Sequence, residues 1–167
     1  MRDGVYSLSV DATTEAGTLN DQHAYMTTTF GTVESDPMLF GGFSDNLWET
    51  LTIDMVPVVG GKLRIGFAST GKGGSNGWFQ INNFKLYYHG EATAEDMQDT
   101  WSKLEARTNE ALEIMLPSER TELAAAKDYA ISLKEAGKFA EACVHLASVL
   151  EKWDEAITAT ENFYAGY

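Results

Sequence analysis

The sequence predicts a segregated α+β protein, in which an antiparallel β-sandwich precedes a three-helix bundle. Residues 1–90 hold 13 of the 15 glycines, whereas residues 91–167 hold 15 of the 19 alanines. Apolar residues recur at every second position in the first part and at every third or fourth position in the second, the periods of strands and helices. We therefore expect two domains, 1–90 and 91–167, each long enough for a small core.

Alternation of apolar and polar residues predicts the strands of the first domain. A threonine-rich segment over 25–30 is a further strand, Gly60-Gly61 predicts a hairpin turn, and 31–48 is expected to be a long loop. The last strand, over 78–88, changes phase at Asn82-Asn83, which predicts a β-bulge. The positions expected to face the core are Tyr6, Leu8, Val10 and Ala12; Leu51, Ile53 and Met55; Leu63, Ile65 and Phe67; and Phe79, Ile81, Phe84, Leu86 and Tyr88.

Helix signals begin at Thr93, which can cap a first helix together with Asp96. Pro117-Ser118 ends that helix and begins a second, which stops at Gly137, a natural left-handed cap. A third helix follows, so three helices can bury one shared seam. Their apolar stripes are Met97, Trp101, Leu104, Thr108, Ala111 and Met115; Leu123, Ala126, Ala130 and Leu133; and Ala140, Cys143, Leu146, Leu150, Trp153, Ile157 and Tyr164.

The charge of the chain excludes several partners. With 25 acidic and 12 basic residues the net charge is −13, which disfavours nucleic acid and anionic membrane surfaces. No apolar run is long enough to span a bilayer, and residues 1–4 lack the apolar core of a signal peptide. Cys143 is the single cysteine, so no disulfide can form within the chain.

No catalytic or metal-binding motif is complete. Residues 66–72 read G-x-x-x-x-G-K, but Gly73 replaces the magnesium-binding Ser or Thr and no helix follows, so a flexible hairpin loop is the better interpretation. The three histidines, His23, His89 and His145, are far apart, and Cys143 lies on a core stripe. No spacing singles out a catalytic pair of carboxylates. We therefore expect neither a cofactor nor a metal, and no enzymatic activity.

The predicted loop over 31–48 has the composition of a sugar-binding loop. An aromatic ring can cover the apolar face of a pyranose while Asp and Asn pair with its hydroxyls. Core or rim packing is the alternative role of such rings. The candidate ligand-binding residues are Trp48, Trp78, Asp45, Asn46 and Asn76.

A family resemblance rests on residues 61–67 (GKLRIGF) and 78–90 (WFQINNFKLYYHG). They resemble galactose-binding-like, carbohydrate-binding-module-like β-sandwiches of secreted Bacteroidetes proteins, whose last strand reads W-x-x-F-D-N-F-x-L-x-Y-x-G, and residues 4–10 resemble an earlier strand. The resemblance implies a jelly-roll-like sandwich that binds glycan as an accessory module outside the cell or at its surface.

Two departures from this family bear on the expectations. Asn82 replaces an aspartate that lies near a structural calcium in such sandwiches, so a calcium site is not expected. The five or six predicted strands are fewer than the eight of a jelly roll, and the family's modules begin one or two strands earlier. We therefore expect an N-terminally incomplete sandwich with an open edge, available for homodimerisation.

The second domain is similar to FIVAR-like three-helix segments, which act as spacers or docking segments. A tetratricopeptide unit is a competing interpretation of residues 129–149, but only one copy is visible and a solenoid needs about three. The alternative to sugar binding is therefore a structural or protein–protein interaction module, with the helices as the contact surface.

Overall fold

The computed structural model describes residues 1–15, 21–69 and 78–166. The chain divides into two compact units, Met1–Glu91 and Ala92–Tyr167, called here the β unit and the helical unit. The β unit contains two small antiparallel sheets and the helical unit three α-helices. The fold is therefore mixed, with β-structure first and helices after it.

The β unit has six described strands in two sheets of three. The strands are β1 Gly4–Thr14, β2 His23–Thr28, β3 Gly31–Glu34, β4 Glu49–Val58, β5 Arg64–Ala68 and β6 Phe79–Gly90. In the first sheet β1 lies between β4 and β6, and in the second β2 lies between β3 and β5. Each of these pairings is antiparallel.

Side chains from both sheets form one apolar core. The predicted inward positions of β1 are all buried, and Ala24 and Met26 of β2 pack into the same cluster. Leu63, Phe67 and Leu86 lie at its margin and are partly buried. Both sheets therefore contribute side chains to this core, and the alternation in the sequence correctly predicted which side of β1 is buried.

The predicted hairpin at Gly60-Gly61 is wrong. Both glycines have positive φ, 78° and 67°, and form a turn, but β4 pairs with β1 whereas β5 pairs with β2. The turn therefore carries the chain from one sheet to the other. A two-glycine signal specifies a sharp reversal of the backbone, and it does not specify which strands pair across it.

Met55 was expected in the core and is instead 51% exposed. Its φ is 55°, and its N–H donates to Ser7 Oγ (3.0 Å) where the β1–β4 register shifts. This bulge reverses the alternation, so Val56 and Val58 face inward after it.

The prediction of a loop over 31–48 is wrong for its first four residues, because Gly31–Glu34 form β3.

The predicted bulge in β6 is confirmed. Lys85 pairs with Ser9 and Asn82 with Asp11, so β6 has one more residue than β1 between these two pairs. Asn83 has a φ of 50°. No strand pairs with the outer edge of β6 among the described residues. Four apolar side chains of β6 remain between 37% and 40% exposed, namely Phe79, Ile81, Phe84 and Tyr88.

The helical unit consists of α1 Ala94–Ile114, α2 Pro117–Glu135 and α3 Phe139–Ala165. The predicted capping box is confirmed, since Thr93 Oγ1 accepts from the Asp96 N–H and Asp96 accepts from the Thr93 N–H. Gly137 (φ 79°) ends α2, and the next N–H, of Lys138, donates to the Leu133 carbonyl (2.9 Å), the Schellman pattern.

The predicted stripe of α1 is buried throughout, and the central stripe residues of α2 and α3 are buried too, namely Leu123, Ala130, Cys143, Leu146 and Ile157. Ala126, Leu133, Ala140, Leu150 and Trp153 are partly buried. The Tyr164 side chain lies outside the described residues. Among the described helices, none has the length and apolarity that crossing a bilayer requires.

Candidate functional site

The described residues of three connections meet at one end of the β unit, called here the loop end. They join β1 to β2, β3 to β4 and β5 to β6, and their described residues are 15, 21–22, 35–48, 69 and 78. Ser44 Oγ in the second connection donates to Glu15 Oε1 in the first (2.9 Å), and the Met38 N–H donates to the Gln22 carbonyl (2.8 Å). Connections between strands are where binding residues usually lie on a rigid scaffold.

The end of β1 holds the other two connections in place. The Gly42 N–H donates to the Thr14 carbonyl (2.8 Å), and Thr13 Oγ1 donates to the Leu47 carbonyl (2.7 Å). Thr14 Oγ1 donates to the carbonyl of Trp78. Glycine is needed at Gly41, because a Cβ there would lie 2.6 Å from Thr14 Cγ2. Both threonines of β1 are buried, so the hydrogen bonds that hold the two connections come from residues fixed in the core.

The most prominent feature of the loop end is an aromatic pair. Phe43 and Trp78 meet edge to face, with ring centroids 5.1 Å apart and planes at 85°. Phe43 is 40% exposed and Trp78 is 38% exposed. The contact fixes both rings while leaving apolar ring surface open to solvent, as an aromatic binding platform requires.

Polar groups lie in the same turn as Phe43. Phe43–Asp45 form one turn of 3₁₀ helix, and Asn46 ends it in the left-handed conformation, with its N–H bonded to the Phe43 carbonyl. Asp45 and Asn46 are exposed, and neither side chain makes a hydrogen bond within the described part of the chain. Both remain available to pair with a ligand.

The structure brings three of the five sequence-predicted residues to this place: Trp78, Asp45 and Asn46. Trp48 is half-buried, directly before β4, and the ring that contacts Trp78 is that of Phe43. Asn76 lies outside the described residues. The sequence prediction did not include Phe43, Glu15 or Ser44, since no local pattern shows that residues 15, 44 and 78 meet.

Other reactive groups of the chain have structural partners or are buried. The Ser7 hydroxyl contacts His89 Nε2 (2.8 Å), but it also accepts the Met55 N–H and is 7% exposed, so it stabilises the bulge. Burial raises the pKa of Cys143 to about 11, which makes its thiol unreactive at neutral pH. Within the described residues no group of His, Cys, Asp and Glu is arranged to hold a metal ion.

Comparison of the chain with models of protein families, with curated proteins and with solved structures gave no match. The geometry of the loop end is therefore the main guide to function.

Proposed function

We propose that the chain is a non-catalytic accessory module that binds carbohydrate at the loop end of the β unit. The observation that carries this proposal is the half-exposed Phe43–Trp78 pair. Asp45 and Asn46 lie in the same turn as Phe43, and their side chains make no hydrogen bond to any described residue. Rigid rings offer a surface for the C–H face of a pyranose, and carboxylate and amide groups pair with hydroxyls.

The anchoring of the loops supports this assignment. A weakly held loop would lose entropy on binding, whereas loops fixed beforehand keep more of the interaction energy as affinity. Here Thr13 and Thr14 of β1 hold the backbone of both segments that carry the rings. The rings are thus positioned before a ligand arrives.

The wider proposal concerns the architecture and the context. We propose that the β unit is a jelly-roll-like β-sandwich of the galactose-binding-like kind, and that the helical unit is a FIVAR-like three-helix bundle acting as spacer or docking segment. The resemblance of residues 78–90 to such modules supports this assignment, and with it a location outside the cell or on its surface, within a larger secreted protein.

A glycan array with Trp78→Ala and Phe43→Ala tests the sugar site. We expect the parent chain to retain at least one class of glycan and each variant to lose about tenfold or more in affinity, since aromatic residues at the centre of a site carry about 2 kcal/mol or more each. Trp48→Ala is expected to lose less, because that ring is half-buried. Tryptophan fluorescence of the parent should respond to the bound sugar.

The matched control is Tyr129→Ala, which removes an aromatic ring that is 54% exposed on α2. It should leave glycan retention unchanged. A loss below twofold for both Trp78→Ala and Phe43→Ala would remove the pair from the site. If the chain is folded by circular dichroism and binds no glycan on the array, the structural or protein-interaction module is favoured instead.

A further inference from the structure

The loop end is acidic as well as aromatic. Glu15 is bonded to Ser44, the residue between Phe43 and Asp45. Glu49 Oε2 accepts the N–H groups of Leu39 (2.9 Å) and Phe40 (3.4 Å), so its carboxylate holds the same connection from the start of β4. Three carboxylates, those of Glu15, Asp45 and Glu49, therefore border the segment that carries Phe43.

The described residues of the three connections include acidic side chains and no Lys or Arg. Lys72 is the single base in the sequence of these segments, and it lies outside the described residues. The chain as a whole carries a charge of −13, so its long-range field has the same sign as the local charge.

We propose that the site selects carbohydrates by charge, binding amino sugars more tightly than uncharged sugars and rejecting uronates and sulfated or sialylated sugars. This inference rests on the proposed function. An ammonium group is attracted both to an aromatic face and to a carboxylate, and the exposed Trp78 ring and the exposed Asp45 carboxylate supply the two. An anionic sugar would meet like charges that no described base at the loop end offsets.

The test compares short oligosaccharides that differ in one substituent. Oligomers of glucosamine and galactosamine are measured against their N-acetylated forms and against oligomers of galacturonate and glucuronate, by calorimetry at low and high salt. We expect the amino form to bind about fivefold tighter than the N-acetylated form, as exposed charge pairs allow. We expect no binding of the uronates at the same concentrations. High salt should narrow the differences in affinity between the charged and the uncharged oligomers, because it screens the charges.

Variants separate the site from the general charge of the chain. Asp45→Asn should bring the amino and N-acetylated forms to within about twofold of each other. Glu135→Gln removes the same charge from an exposed position at the end of α2 and should change nothing. An acidic chain attracts any polycation, so amino-sugar binding that survives Trp78→Ala undiminished would overturn the proposal.

Two further outcomes distinguish failure of this inference from failure of the proposed function. Uronates that bind as tightly as N-acetylated sugars, with both lost in Trp78→Ala, would overturn the charge selection and leave the carbohydrate site standing. Retention of none of the sugars by the folded chain would overturn both.

Discussion

At the scale of single residues, Asp11 joins the three strands of the first sheet. Its Oδ1 accepts from Thr50 Oγ1 on β4 (2.7 Å) and its Oδ2 from Asn83 Nδ2 at the β6 bulge (2.8 Å). The hydrogen bond from Asn83 and then that from Thr50 hold the pKa of Asp11 below its usual range, against the opposing effect of burial, and the nearby charge of Lys85 lowers the pKa least. The carboxylate thus fixes the bulge across the sheet.

Asp11→Ala should therefore destabilise the β unit by about 1 kcal/mol, less than usual for hydrogen bonds to a charged group, because solvent reaches this carboxylate. The measurement is urea unfolding followed by tryptophan fluorescence. Thr52→Ala, an exposed change on the neighbouring strand β4, is the control and should alter stability little. Equal effects of the two variants would show that the hydrogen bonds of Asp11 contribute nothing to the free energy of unfolding.

The stability difference between the parent chain and Asp11→Ala depends on pH, and the direction in which the pKa of Asp11 is shifted determines how. Because the pKa of Asp11 is lowered in the folded state, its contribution is fully present above the unfolded pKa of about 3.9 and is lost as pH falls through the lower folded value. The stability gap between parent and Asp11→Ala should be constant from about pH 8 to 5 and shrink below about pH 4. A gap that persists at pH 2 would contradict this assignment.

At the scale of elements, the sequence predicted helices more completely than strands. The caps at Thr93 and Gly137 are local signals, and both are confirmed. The bulge at Asn82-Asn83 is also visible locally, because the apolar phase changes there. The sequence did not predict that the chain passes from one sheet to the other after Gly61, or that β4 has a bulge at Met55. Both features depend on which distant strand pairs with β4 or β5. The bulge, for example, is held by Ser7, which is 48 residues away in the sequence.

The capping box of α1 supplies a prediction for the helical unit. Thr93→Ala should lower its stability by about 1 kcal/mol, because it removes the acceptor for the Asp96 N–H at the helix start. Thermal unfolding followed by far-UV circular dichroism measures the effect. Thr93→Ser keeps the hydroxyl and should restore most of the loss. If Ser and Ala at this position behaved alike, the capping bond would not be the cause.

At the scale of the whole molecule, the sequence predicted the composition of the candidate site better than its assembly. Trp78 and the Asp45-Asn46 pair were found because aromatic and amide residues cluster in the loops. The partner ring, Phe43, and the neighbour Glu15 were not selected, because their proximity arises from the paths of β1, β4 and β6. Alternation predicts which side of a strand is buried, and it does not predict which connections meet at its end.

The remaining prediction concerns the outer edge of β6. This edge pairs with no described strand, and β6 carries one lysine and no acid among its 12 residues, with Tyr87 48% exposed. A long, weakly charged edge favours pairing with a second copy. We expect concentration-dependent dimerisation that strengthens with salt, because salt screens the repulsion between two chains of charge −13.

Sedimentation equilibrium over a range of concentrations and salt measures this association. Tyr87→Lys places a charge at an exposed position of the edge strand β6 and should weaken dimerisation about tenfold or more, since two like charges would come close together in the dimer. Tyr129→Lys makes the same change on α2 and should leave the dimer intact. A parent chain that stays monomeric at the highest concentration and salt would show that the bulge at Asn83 and the charge of Lys85 already protect this edge.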